Sequence, residues 1–397
     1  MNDWQVFADE TKILLGKKSF LQAQCKIQEG LDRFPNQVTI LSIANDVYRA
    51  SGNREKSLDF AQGLIYHHPD NWIGYGRAVQ DLLALKRFDE AQIKMQEGLD
   101  RFPNQITILS IASDVYRASG NRQKALDFAQ GLIYHHPGNW IGYGRAAQDL
   151  LALKRFDEAQ ARIQEGLGKF PNQVNIFTIA NDVYRASGNR QKALDFAQDL
   201  IHNHPDNWIG YGRSAQDLFA LKRFDEAQAK IQEGLGKFPN QVKILTIAND
   251  VYRASGNWQK ALDFAQDLIH HHPDNWIGYG RAAQDLLALN RLDEAQTRIQ
   301  EALDRFPNQV NILTIANDVY RASGNRQKAL DFAQGLIHHH PDNWIGYGRA
   351  VQELLALNRL DEARIKIQEA LEKFPNQGTI LSMAKAVERA SGEPENP

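Results

Sequence analysis

The sequence predicts an all-α chain of stacked helix pairs, a solenoid, and three observations lead there. Proline returns every 34 residues, at Pro35, Pro69, Pro103, Pro137, Pro171, Pro205, Pro239, Pro273, Pro307, Pro341 and Pro375, a spacing typical of repeat architectures. Between prolines, apolar residues fall three and four apart, the interval of one helix face. A glycine, lysine or asparagine marks a turn inside each unit and divides it into two helices.

Starting at Trp4, eleven units cover residues 4–377. Residues 1–3 precede them, a truncated capping unit follows at 378–392, and 393–397 form a polar tail. Two unit types alternate, so the full period is 68 residues. One type opens Trp-Ile-Gly-Tyr-Gly-Arg, at Trp72, Trp140, Trp208, Trp276 and Trp344; the other carries Asp-Val-Tyr-Arg-Ala-Ser-Gly-Asn, from Asp46, Asp114, Asp182, Asp250 and Asp318.

Within a unit the first helix is predicted from Trp72, Tyr75, Ala78, Val79, Leu82 and Leu83. Asn71 stands where an N-cap is needed, because an Asn side chain accepts from an early helix N–H. The second helix is predicted from Phe88, Ala91, Ile93, Met95 and Leu99 and stops before Pro103, which lacks the N–H to continue it. At the turn, Gly52, Gly120, Gly188, Gly256 and Gly324 suit a left-handed residue. The alternate units place Lys86, Lys154, Lys222, Asn290 and Asn358 there, and asparagine tolerates that conformation better than lysine. Gly74 and Gly76 cost a helix roughly 0.5–1 kcal/mol each relative to alanine. Close backbone packing, duplication without selection, or an opening for a ligand could each account for them.

Charge and composition narrow the function classes. Lys plus Arg total 46 against 48 Asp plus Glu, a formal net charge of -2, so no nucleic-acid partner is expected. A single cysteine, Cys25, excludes an internal disulfide and a four-cysteine zinc site. The opening Met1-Asn2-Asp3-Trp4 carries no targeting signal, and no apolar run suffices for membrane insertion. A soluble, cytoplasmic protein is expected.

Catalytic signatures are absent from the sequence. All twelve histidines sit at the end of the second helix in one unit type, from His67 and His68 to His338, His339 and His340. Such histidines interact favourably with helix C-terminal carbonyls; a weak metal contact at His270–His272 or His338–His340 and a pH-sensitive surface are the alternatives. Paired acids such as Asp89-Glu90 suit the first turn of a helix. There is no phosphate loop, HExxH or GxSxG. The chain is therefore expected to be no enzyme and to need no cofactor or metal.

Taken together, Leu41, Ala44, Asn45, Tyr48, Gly52, Ser57, Ala61, Leu64 and Pro69 in one unit, and Tyr75, Ala78, Val79, Leu82, Ala91, Met95, Gly98 and Pro103 in the next, resemble the tetratricopeptide repeat family. Asn45 and Val79 depart from the small residue that the family keeps at the close helix contact. The resemblance implies a right-handed superhelix whose concave face is made by the first helices, displaying the second, fifth, ninth and twelfth residues of each unit. Those are Ile73, Gly76, Gln80 and Leu83 in one type, and Thr39, Ser42, Asp46 and Arg49 in the other. The family's carboxylate clamp needs lysine and asparagine at the fifth and ninth residues; only the sixth-residue Arg77 matches, so capture of a peptide C-terminus is disfavoured.

Candidate partner-binding residues follow: Gln80, Gln148, Gln216, Gln284 and Gln352; Asp46 with Arg49, Asp114 with Arg117, Asp182 with Arg185, Asp250 with Arg253, and Asp318 with Arg321; and Arg77. Lys243, where other copies carry threonine or asparagine, joins them. The Asp-Arg residues stand three apart, so they can satisfy each other, contact a partner, or stabilise neighbouring units. The expected function is a non-catalytic scaffold holding a protein or peptide segment along the concave groove. The alternative is an accessory carbohydrate- or transferase-associated module, in which Trp72 and Tyr75 would touch sugars if exposed; sealing contacts between units is their other role. A monomer is expected, with pairing through Trp4 and Phe7 as the alternative.

Overall fold

In the computed structural model, which describes residues 3–390, 23 α-helices follow one another and no strand occurs among those residues. The chain is an all-α helical repeat solenoid. Met1, Asn2, residues 391–392 of the capping unit and the 393–397 tail lie outside the described residues. Two compact units, residues 1–203 and 204–397, divide the chain. In each, 13-residue first helices such as Val38–Ala50 and Trp72–Ala84 alternate with 14-residue second helices such as Arg54–His67 and Phe88–Arg101. Within each unit a helix packs on its chain neighbours, and several first helices also pack on the next first helix, as Trp72–Ala84 does on Ile106–Ala118.

Local chemistry sets these boundaries as expected. Asn71 Oδ1 accepts from Ile73 N at 3.0 Å, and Asn139, Asn207, Asn275 and Asn343 repeat the cap. Asn53 adds a cap to the second helix by accepting from Lys56 N. Gly52 has φ +84°, and Lys86, Lys154, Lys222, Asn290 and Asn358 also lie between 57° and 61°. Lys18, at 56°, is a further left-handed residue that the proline register had not singled out.

The first-helix stripe is buried through Tyr75, Ala78, Val79 and Leu82. In the second helix Ala91 and Met95 are buried, but Ile93 is 61% exposed and Phe88 also faces water. The buried stripe instead runs Ala91, Met95, Gly98, because i, i+4, i+7 is one helix face and Ile93 is two residues off it. Gly74 is a close-packing site: a Cβ there would lie 2.9 Å from the backbone nitrogen of Ile65 on the preceding helix. At the start of the chain Phe7 is buried and Trp4 packs on the same cluster with Ile27, Ile40 and Ala44. Phe7 is therefore a core residue, and Trp4 lies half-buried at the edge of the same cluster. Towards the other end Lys385 and Glu388, which stand where earlier units carry a buried Asn and Tyr, are exposed, and no later helix covers them among the described residues.

Candidate functional site

The two kinds of first helix bring their inward residues together. Thr39, Ser42, Asp46 and Arg49 from Val38–Ala50, with Ile73, Gly76, Arg77 and Gln80 from Trp72–Ala84, line one cavity of about 480 Å³. Leu83 is absent from that lining. The same wall recurs as a cavity of about 350 Å³ at Arg117, Arg145, Gln148 and Thr178, and again, of equal size, at Asp250, Arg253, Arg281 and Gln284. The five glutamines of the ladder are exposed, as is Lys243, earlier on the helix of Asp250.

The charges do not pair as their sequence spacing suggests. Asp46 takes a two-pronged ion pair from Arg77 of the next unit, with Arg77 Nη2 3.0 Å from Asp46 Oδ2. Arg145 with Asp114, Arg281 with Asp250 and Arg349 with Asp318 repeat it. Arg49 donates to Asp81 at 3.0 Å, to Gln80 at 2.9 Å and to the Arg77 carbonyl at 3.3 Å. Arg321 makes a within-helix pair as well, but a long one, to Asp318 at 3.8 Å. Of the three readings of the Asp-Arg pairs, the geometry supplies cross-unit stabilisation: each rung is clamped to its successor. Asp182, Arg185 and Gln216 hold the same places on their helices and are engaged as well.

Beneath the clamp lies an acid that sequence reasoning missed. Asp81 is fully buried, with Asp149, Asp217, Asp285 and Glu353 in its copies. Asp81 accepts from Arg49, from Arg54 at 3.1 Å, from Asn45 at 2.8 Å and from Ser57 at 2.7 Å. Asn45, which looked like a misfit at a helix contact, is the hub: its Nδ2 also donates to the Ser57 carbonyl at 2.7 Å, and its Oδ1 accepts from Arg77 at 2.7 Å. A buried carboxylate is tolerable only with such partners. A signal did exist, since an acid recurs on the apolar stripe beside Ala78 and Leu82. Asp285 has fewer such partners than Asp81, and its carboxyl is pushed above the ordinary value by burial that Arg253 and Asn249 only partly offset.

The remaining candidates also change role. His68 Nε2 donates to the Asn36 carbonyl at 2.5 Å, and His136, His272 and His340 repeat the bond to Asn104, Asn240 and Asn308. These histidines thus tie a helix end to the loop of the preceding unit rather than to their own helix carbonyls. No group of three metal-ligating side chains occurs among the described residues. Glu90 pairs with Arg87 at 2.6 Å, which lowers its carboxyl below the usual range. Tyr75 and its copies are buried against Phe102 and its copies, at 5.9 Å between the first pair of ring centres, so they cannot meet a sugar. Trp72 is half-buried at the cavity edge.

Comparison with known families agrees with this geometry: residues 252–315 match the tetratricopeptide repeat model. The chain is a tetratricopeptide repeat protein. A curated relative, TPR repeat-containing protein YpiA of Bacillus subtilis (strain 168), is 22% identical over 74% of this chain and 70% of its own length. Lipopolysaccharide assembly protein B of Escherichia coli (strain K12) is 20% identical over 48% of this chain, which spans about half, 52%, of that relative. Among solved structures, yeast Tom70 superposes with a TM-score of 0.54 at 12% identity, over 98% of this chain and 96% of that one, a likeness of fold. Tetratricopeptide repeat proteins are generally non-catalytic scaffolds for protein interaction, and none of the described helices is long and apolar enough to cross a membrane.

Proposed function

We propose that this tetratricopeptide repeat protein is a non-catalytic scaffold that holds an extended segment of a partner protein along the first-helix groove. The observation that carries this reading is the division of labour along the wall. Asp and Arg are occupied with each other, whereas Gln80, Gln148, Gln284 and Gln352 stand exposed beside an apolar floor such as Ile73 and Gly76, and where Arg49 or Arg253 donates to a carboxamide oxygen the amide N–H groups still face the groove's solvent. Carboxamides both donate and accept, so a ladder of them suits the alternating N–H and C=O groups of an extended chain. The Asp-Arg candidates then act by holding the wall's shape and offering ion-pair edges, and the glutamines make the direct contacts.

The test is capture of partners with cross-link mapping, followed by joint replacement of Gln80, Gln148 and Gln284 with alanine. Cross-links confined to the groove and at least about tenfold weaker binding of the variant are expected, as follows from losing a few hydrogen bonds of about 0.5–1.5 kcal/mol each. Cross-links on the second helices alone would overturn the proposal. A second reading, service to a glycan-assembly system, has two supports: the Trp72 and Trp140 rings at the cavity edges and the likeness to lipopolysaccharide assembly protein B of E. coli. Glycan binding that Trp72→Ala abolishes would favour it, and its absence would remove it.

A further inference from the structure

Two of the residues that break the repeat, both aromatic, meet. Phe219 stands where the other units of its type carry Leu83, Leu151, Leu287 and Leu355, and Trp258 stands where the others carry Arg54, Arg122, Arg190 and Arg326. These departures lie on different helices, Trp208–Ala220 and Trp258–His271, yet both line one cavity of about 470 Å³. Ile247 and Val251 also line it, together with Asp250 and Arg253. The last two residues also line the adjoining groove cavity, so the pocket is continuous with the wall described above.

The departures change both charge and surface. Around Asp81 the rung has three arginines, Arg49, Arg54 and Arg77, against two carboxylates, and the rung of Glu353 keeps the same ratio with Arg321, Arg326 and Arg349. Around Asp285 only Arg253 and Arg281 remain against Asp250 and Asp285. One positive charge is gone, and an indole has taken its place. Asp250 is also the most open acid of its row, at 50% exposure against 43%, 41% and 36% for Asp46, Asp114 and Asp318. Arg253 is neutralised at the rim by Asp285, Gln284 and the Arg281 carbonyl.

An apolar guest would have been served equally by leucine. Phenylalanine and tryptophan add electron-rich faces, which attract cations, and loss of the arginine removes a repelling charge. We propose that this cavity receives a lysine or arginine side chain of the partner segment and so sets the register at which that segment lies in the groove. The proposal rests on the groove reading above. It explains how a nearly periodic wall could hold a non-periodic ligand in one place: among the rungs, this one alone pairs a Phe with a Trp at these two positions. The raised carboxyl of Asp285 accords with the missing cation.

The experiment selects short random peptides from a display library on the full chain, then compares their affinity for a Phe219→Leu, Trp258→Arg double variant. That variant restores residues the sibling units already carry, so its fold is expected to persist, and circular dichroism checks it. Selected peptides should be enriched in lysine or arginine at one position, should lose affinity when that residue becomes methionine, and should bind the double variant about tenfold more weakly. Equal affinity for both proteins would overturn the pocket and leave the groove standing. An apolar residue at the enriched position, with binding lost in the variant, would overturn the cationic guest. Failure of any peptide to bind would remove the groove reading and the pocket with it.

Discussion

Two of the buried acids, Asp81 in the first compact unit and Asp285 in the second, hold the same place in the repeat but have different company. Asp81 accepts from Arg49, Arg54, Asn45 and Ser57, whereas Asp285 keeps only the counterparts of the first and third, Arg253 and Asn249. Two substitutions make the difference: Ser57 becomes Ala261, and Arg54 becomes Trp258. At Asp285 burial outweighs the partners that remain and pushes the carboxyl upward. The repeat therefore tolerates loss of individual bonds because each acid is supported from several helices. The poorer rung is also where the wall departs from its period, and there conformational support has been exchanged for a distinctive surface.

The sharpest way to break this comparison is to remove the acids. Asp81→Ala should cost about 3–5 kcal/mol locally, since Arg49, Arg54 and Asn45 lose a shared buried partner. Asp285→Ala should cost less, because fewer groups are orphaned. Native-state hydrogen exchange of the flanking helices reads each rung separately, and equal costs would show that the extra partners of Asp81 contribute nothing.

A smaller effect is expected from exchanging the partners. Ser57→Ala, which copies the sibling units, should cost about 1 kcal/mol for one hydrogen bond to a charged network. Trp258→Arg should bring the Asp285 carboxyl back down, observable by titrating its carboxyl carbon with NMR. An unchanged titration would mean that the missing guanidinium is not what separates the two rungs.

The least conspicuous effect is in pH. A carboxyl raised in the fold contributes stability that is fully present below its unfolded value and lost as pH rises through the raised folded one. Wild type should therefore gain on Asp285→Asn as pH falls from neutral towards the ordinary aspartate range, in paired thermal melts. The exposed Glu90 and Glu158 pairs act in the opposite sense: their lowered carboxyls contribute above the ordinary glutamate range, and that contribution is lost as pH falls through the lowered values. The Asp285→Asn difference isolates one sign from the other.

Much of the fold was legible in the residues. Proline stops, asparagine caps and the left-handed Gly52 and Asn290 are set by short-range sterics and by bonds to the same or the next turn, which sequence spacing describes directly. Ile93 was misread because a run of apolar residues does not say which of them lies on the buried face. The wall of Thr39, Ser42, Asp46, Gly76 and Gln80 was also legible, through family likeness. Asp81 was overlooked because an acid on an apolar stripe makes sense only once Arg49, Arg54 and Asn45 are known to converge on it.

By itself, then, the sequence determined the helices, their ends, the 34-residue unit and its alternation in pairs, since all of these depend on interactions within a few residues. Tertiary structure alone decided that Asp46 pairs with Arg77 rather than Arg49, that Asn45 holds Asp81, that His68 reaches the Asn36 carbonyl, and that Phe219 and Trp258 share one cavity. Each of these contacts joins residues on different helices. The rotation and spacing of packed helices, which fix such contacts, come from the fit of whole side-chain surfaces rather than from any local pattern.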